Sequence, residues 1–398
     1  MSDAPLFDFD TPVLRRGSHC HKWDDSDDPG MLPMWVADMD FRTAPAVVEA
    51  LQRRAEHGVF GYTRVPERYF EAIIGWYDRR HGMPLKRDWL LYTTGVVPAL
   101  SAIIQALAQP GDGVIVQTPA YNCFFSSIRN SGCRQVDNPL RQDADGYYQI
   151  DFEDLTVKAA DPKNRFLLLC NPHNPVGRVW RREELEQLGQ ICQQHGVIVI
   201  ADEIHSDLIR PGFRHTPFAA VNEACRRGSI TCSAPSKTFN LAGLQTANII
   251  VADPEWRRRI DRQININETC ELNPFGVEAL IAAYTEGEAW LEALRAYLAG
   301  NYAIVEAALH NLLPQLRITP LEATYLAWID CTALEMPSQE IAQRLRDRHH
   351  LWLSEGILYG DAGEGFIRLN FACSRDRLQE GIHRLRAAFT PGGALSRI

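Results

Sequence analysis

The chain has no apolar run approaching the ~20 residues that a helix needs to cross a bilayer, no block of clustered lysine and arginine, and no cysteines at C-x-x-C spacing. Each gap excludes something. The first removes any reason to expect a membrane as partner. The second, with a formal net charge of -9, argues against nucleic acid, whose phosphates are held by clustered cations. The 10 cysteines stand singly and read as small buried hydrophobes of a cytosolic chain, not as a disulfide framework. His19-Cys20-His21 is the one cluster of metal-ligand type, and with no second pair of ligands near it no metal site is predicted. The first residues, Met1 to Asp8, lack the basic segment and apolar core of a secretory leader, so a cytoplasmic protein acting on small molecules is expected.

What is present is an ordinary globular composition, 45% hydrophobic and 23% charged, over 398 residues. That length exceeds what one hydrophobic core serves, so two domains are expected. From about Ala46 to Val251 helical and strand patterns alternate, which predicts an α/β fold with a mostly parallel sheet between helices. The helix Arg182 to His195, with Leu185, Leu188, Ile191 and Cys192 on one face and Gly196 at its end, is scaffold of this kind.

Three apolar strands end in chemistry. The strand from Ser229 to Cys232 leads into Ala234-Pro235-Ser236-Lys237-Thr238-Phe239-Asn240. A lysine amine is a nucleophile toward carbonyls only where burial or neighbours lower its pKa, and a single loop lysine is otherwise a solvated charge. The run Gly196-Val197-Ile198-Val199-Ile200-Ala201 stops at Asp202-Glu203-Ile204-His205. Asp202 is either a cap of the following turn or a charge aimed at a ligand. Phe166-Leu167-Leu168-Leu169-Cys170 runs into Asn171-Pro172-His173-Asn174-Pro175-Val176-Gly177, a proline-flanked turn that presents an asparagine amide. In open α/β sheets ligands bind beyond the carboxyl ends of the strands, so these groups can converge. Leu90 to Thr94 turns through Gly95 into a helix with Pro98 in its first turn, and the N–H groups of Val96 and Val97 form an anion site there. Tyr121, after the strand Gly113 to Val116, is either a core tyrosine or a face for a flat ring. Strands return after a long helical stretch, at Ala323 to Asp330 and at Gly365-Phe366-Ile367-Arg368-Leu369-Asn370-Phe371, where Arg368 requires a carboxylate partner from the chain or from a ligand.

The motifs N-P-x-N-P-x-G, D-E-x-x-x-D and S-K, in this order, resemble the fold-type I pyridoxal-phosphate-dependent aminotransferase superfamily, class I/II, from about Met34 to about Phe389. Trp35-Val36-Ala37-Asp38-Met39-Asp40-Phe41, A-P-S-K-T-F-N and D-E-I-H-S-D are similar to its cystathionine β-lyase, or C-S lyase, branch. The resemblance implies a large domain over 46–285 with a seven-stranded sheet, and a smaller α+β domain from 1–45 and 286–398. It implies pyridoxal 5'-phosphate bound covalently to Lys237, with Asp202 on the ring nitrogen, Tyr121 stacked on the ring, and Asn174 and His205 near its phenolic oxygen. Val96, Val97 and Ser236 would hold the phosphate, together with Tyr62 reaching over from a second subunit of a homodimer. Arg368, Asn174 and a backbone N–H near Ala37 would take the substrate carboxylate. Two positions depart from the wider pattern: Gln245 stands where many relatives have a phosphate-binding arginine, and His205 where most have tyrosine. The expected reaction is α,β-elimination of a thioether amino acid to thiol, pyruvate and ammonia. Transamination is the alternative, and a regulatory binding protein on the same fold is the reading from another class.

Overall fold

The apolar runs between turn residues become the strands of one seven-stranded sheet in the computed structural model of the protein, which describes residues 7–390. Met1 to Leu6, the start of the segment read for a leader, and the Pro391-Gly392-Gly393 tail lie outside the described residues. Across the sheet the strands are Leu90–Thr93, Ala247–Val251, Ser229–Ser233, Ile198–Asp202, Asn164–Cys170, Gly113–Val116 and Arg134–Asp137. Ala247–Val251 runs antiparallel to both of its neighbours, and the other strands share one direction. Burial on both faces explains the apolar character of the central strands, whereas the edge strand Arg134–Asp137 is polar and mostly exposed. Phe166, Leu168 and Cys170 enter the core on one face, and Leu167 and Leu169 enter the core on the other.

Register fixes what meets at the carboxyl edge. Cys170 lies beside Asp202, and Asp202 beside Cys232, so the three central strands end in one row. Whatever follows each of them emerges on the same rim. The helix Arg182–His195 spans the residues expected of it, and Gly196 ends it at φ 69°, a left-handed position that suits glycine.

A four-stranded antiparallel sheet forms from Arg317–Ile318, Leu326–Asp330, Phe366–Asn370 and Ser354–Glu355. The helices Ser338–His349 and Arg375–Phe389 accompany it. The short strand Leu32–Pro33 pairs in parallel with Leu351–Trp352, tying the amino-terminal segment to the carboxyl-terminal part of the chain. Gly177, the last residue of the proline-flanked turn, packs against the segment that leads into the second sheet's strand Leu326–Asp330. It sits at φ 75°, a Cβ there would meet Leu321 Cδ1 at 2.2 Å, and its carbonyl accepts from the N–H groups of Glu322 and Ala323. Two separate demands therefore require glycine at that position.

All 10 cysteines carry free thiols, and six of them are buried. Among the described residues no helix is long and apolar enough to cross a membrane.

Candidate active site

A cavity of about 200 Å³ opens at the carboxyl rim of the large sheet, and Lys237, Asp202, Asn174, His205, Tyr121, Val96, Val97, Ser236 and Ala37 all line it. The strand ends therefore bring together nearly every residue singled out from the sequence. Arg368 is not among them but bonds Asn174, which is, and Tyr62 is the other exception. It stands in the loop after the helix Pro45–Glu56 and is 96% exposed, away from this chain's own cavity.

Lys237 sits in the one-turn helix Pro235–Thr238, half-buried, and its Nζ donates to the Ala37 carbonyl at 2.6 Å. Burial, with the nearby Arg368 charge, lowers its pKa to about 8, although Asp38 and Asp202 pull it upward. A substantial neutral fraction is thus present near neutrality, as a nucleophile and base require. The turn is pinned from behind. Thr238 Oγ1 donates to Asp207 Oδ2 at 3.0 Å, and Asp207 also takes the Trp76 indole N–H at 3.2 Å and lies 3.2 Å from His81 Nε2. Burial pushes the Asp207 carboxyl up, but His81 and its other donors outweigh burial and hold it below the usual range.

Asp202 is buried, and its Oδ1 accepts the N–H of Ile204 at 3.1 Å, so it does cap the turn while lining the cavity. Burial raises its pKa to about 7 against that bond and against Lys237. A cationic partner in the cavity would return it to the carboxylate form. His205 is driven down to about 3 by burial and by the Lys237 and Arg368 charges, so its ring is neutral, and its buried Nδ1 has no hydrogen-bond partner.

Arg368 finds no carboxylate partner within the chain among the described residues. It is buried, and its Nε has no acceptor. Its Nη1 donates to Asn174 Oδ1 at 3.1 Å and its Nη2 to the Trp35 carbonyl at 2.9 Å, with the Tyr359 ring 5.0 Å away. A buried guanidinium without its counter-charge is costly unless an anion arrives.

Ala37 meets Lys237 through its carbonyl. The expectation was an N–H aimed at a substrate carboxylate; the group facing Lys237 is the Ala37 carbonyl, which also accepts from Tyr325 OH at 2.8 Å. Asn370 Nδ2 donates to the carbonyls on either side of it, those of Val36 and Asp38, both at 2.6 Å. Asn240 secures the rest of the segment, donating to the carbonyls of Met39 and Phe41 and accepting from Met39 N. Ser233, at the end of the strand before Lys237, is buried and lines no part of this cavity. Gln245 and Thr246 do line it.

The residues present fit pyridoxal phosphate. The helix Val96–Leu107 begins at Gly95 with no side-chain cap, leaving its first N–H groups for a phosphate. Asp202 offers a carboxylate, Tyr121 a ring and Lys237 an amine on the same cavity, and the orphaned His205 Nδ1 awaits a partner. Sequence reasoning missed Tyr325 and gave no role to Asp207. The D-E-x-x-x-D spacing flagged the second; Tyr325 meets Ala37 only through the fold.

The family model "Aminotransferase class I and II" matches residues 30–385. Cystathionine beta-lyase PatB of Bacillus subtilis is 43% identical over 386 residues, covering 96% of this chain and 100% of that protein. Protein MalY of Escherichia coli is 33% identical over 383 residues, 95% of this chain and 97% of that one. Among solved structures, cystalysin from Treponema denticola, which contains a pyridoxal 5'-phosphate cofactor, superposes with a TM-score of 0.93 at 35% identity, covering 96% of this chain and 99% of the other.

Proposed function

Because the chain belongs to the aminotransferase class I and II family, we propose that it is a pyridoxal-phosphate-dependent C-S lyase of the cystathionine β-lyase type. It eliminates the sulfur substituent of L-cystathionine or a related thioether amino acid, giving thiol, pyruvate and ammonia. The observation that carries the choice of elimination is the likeness to a cystathionine β-lyase over the whole length of both chains. The cavity supplies the chemical support.

Pyridoxal phosphate, when bound, supplies an electron sink that acidifies the substrate Cα–H. Lys237 would hold it covalently, Asp202 would face its ring nitrogen, and Tyr121 its ring. Val96, Val97 and Ser236 would take its phosphate without the arginine that Gln245 replaces, and Asn174 and neutral His205 would lie toward its phenolic oxygen. Arg368 binds the substrate carboxylate through the fork that now lacks an acid, and Asn174 fixes the fork's orientation through the bond to Nη1. Lys237, neutral above about pH 8, removes the Cα proton at Nζ. The Ala37 carbonyl accepts from Nζ and ties the lysine to the amino-terminal strap.

A cytoplasmic homodimer completes the proposal, with Tyr62 reaching the neighbouring subunit's phosphate site. Its support is the exposed run Val59, Phe60 and Tyr62 at 64%, 55% and 96%, a cluster of apolar surface that a partner would cover. A large domain over 46–285, with 1–45 and 286–398 forming the smaller one, agrees with the pairing of Leu32–Pro33 and Leu351–Trp352.

The test is to give the purified, cofactor-loaded protein L-cystathionine without any keto acid and to follow pyruvate and free thiol together. Sustained release of both is expected. Amino-group loss that stops after one equivalent and resumes only with a keto acid would assign transamination instead. No release and no loss, in a protein that still carries the cofactor, would return the binding-protein reading.

A further inference from the structure

Ala37, whose carbonyl accepts from Lys237 Nζ, is followed at once by an acid. Covalent geometry keeps the Asp38 carboxylate within about 9 Å of Nζ, and a unit charge at that range moves the titration of an amine by about one pH unit. The other charged and titratable groups around Nζ are Arg368 of the strand Phe366–Asn370, Asp202 and His205 at the end of the strand Ile198–Asp202, Cys123 of the helix Asn122–Asn130, Tyr121 just before that helix, and Tyr325. Burial lowers the amine and Arg368 adds to it; of the groups that oppose them Asp38 is the strongest, ahead of Asp202.

Asp38 is itself clamped. Arg15 Nη1 donates to its Oδ1 at 2.9 Å and Arg15 Nη2 to its Oδ2 at 2.6 Å, a two-pronged pair, with Lys22 Nζ farther off at 3.5 Å. The neighbouring Asp40 has less need of this arginine. Besides Arg15 at 2.7 Å it takes the Trp23 indole N–H at 2.9 Å and lies 3.3 Å from Lys22 and 3.6 Å from Arg377. Nor does the strap need Arg15 to stay in place, since Asn240 and Asn370 already give the segment from Val36 to Phe41 five hydrogen bonds. What Arg15 alone supplies is a cation on both oxygens of Asp38.

We infer that Arg15 is a positioning residue for Lys237 that acts through Asp38: by holding both carboxylate oxygens it limits the negative field at Nζ, so that the amine resting on the Ala37 carbonyl releases its proton to solvent near neutrality. The inference rests on the reading of Lys237 as the amine that holds the cofactor and takes the Cα proton. It adds to that site a residue from the amino-terminal segment, outside the cavity.

The experiment is trace acetylation of the cofactor-free, full-length protein with acetic anhydride, the modified fraction of Lys237 being counted by peptide mass at each pH against the exposed Lys86. Only the neutral amine reacts, so the midpoint, about 8 in the wild type, reads the lysine directly. Asp38→Asn lowers the midpoint by about one pH unit, and Arg15→Gln raises it by about half of that. Arg15→Lys, which keeps the charge, stays near the wild type, and the double variant Arg15→Gln/Asp38→Asn falls between the singles. Capture of pyridoxal phosphate at neutral pH slows about threefold in Arg15→Gln, in proportion to the smaller neutral fraction. Opposite signs are the mark of charge, because two substitutions that merely loosened the strap would move the midpoint the same way. A shift of one sign in both single variants, or none in Arg15→Gln, overturns the inference. Arg15→Met, which keeps the apolar stem, gives the same reading if Arg15→Gln does not fold. Failure of the cofactor-loaded wild type to turn over L-cystathionine would sink the lyase reading separately, and the acetylation would still decide the role of Arg15.

Discussion

Asp202 shows at the scale of one residue what a site costs the fold. Its carboxyl, held at about 7 by burial, keeps its proton in the folded protein while an unfolded chain releases it near 3.8. The unfolded state therefore binds fewer protons between those values, and the stability of the cofactor-free protein falls as pH rises from about 4 to about 7. Above that window the loss stays constant. Lys237 acts in the opposite direction, since its pKa is lowered from 10.5 to about 8 and stability rises with pH between those limits. Asp202→Asn removes the first penalty without changing the side chain's size. It should stabilise the cofactor-free protein by about 4 kcal/mol near pH 8 and hardly at all near pH 4, while turnover collapses. Urea unfolding at the two pH values checks this, and an equal gain at both would remove charge burial as the cause.

At the scale of elements, the site is a set of strand ends and one helix start. The helix Val96–Leu107 lacks a side-chain cap, so its free N–H groups are the means of holding an anion in a chain with Gln245 at the usual arginine position. Val97→Pro deletes one of those donors at a position where proline's φ suits a helix. Cofactor affinity should fall about tenfold, the loss of one charge-assisted hydrogen bond, with helical circular dichroism unchanged. Equilibrium dialysis measures it, and unaltered affinity would mean that the phosphate is held elsewhere. Much of this was legible in the sequence because it is local. Asp202 and Asn174 each follow an uninterrupted apolar run and Lys237 a short buried strand, so that a strand and its polar end occupy a few consecutive residues. The reversed direction of Ala247–Val251 was not legible, since a strand buried on both faces has the same apolar pattern whichever way it runs. Nor was the carbonyl of Ala37, whose neighbours on both sides are held by Asn370, hundreds of positions away in the chain.

At the scale of the whole molecule, Tyr62 cannot serve the cavity of its own chain if it points outward at 96% exposure, and the proposed dimer gives it a use. Tyr62→Ala and Lys237→Ala should each be nearly inactive as pure proteins. Refolded or co-expressed together they should recover activity, because a mixed dimer then contains one cavity with an intact lysine facing an intact tyrosine. Absence of any recovery would place Tyr62 in its own subunit's service or in none. The pairing of Leu32–Pro33 with Leu351–Trp352 has a bearing on biosynthesis. The strap that carries Ala37 leaves the ribosome early, yet its partner strand and Asn370 emerge among the last parts of the chain. Lys237 is thus translated long before the carbonyl that holds it can be set in place, and a nascent polypeptide halted short of residue 351 should fail to assemble the cavity.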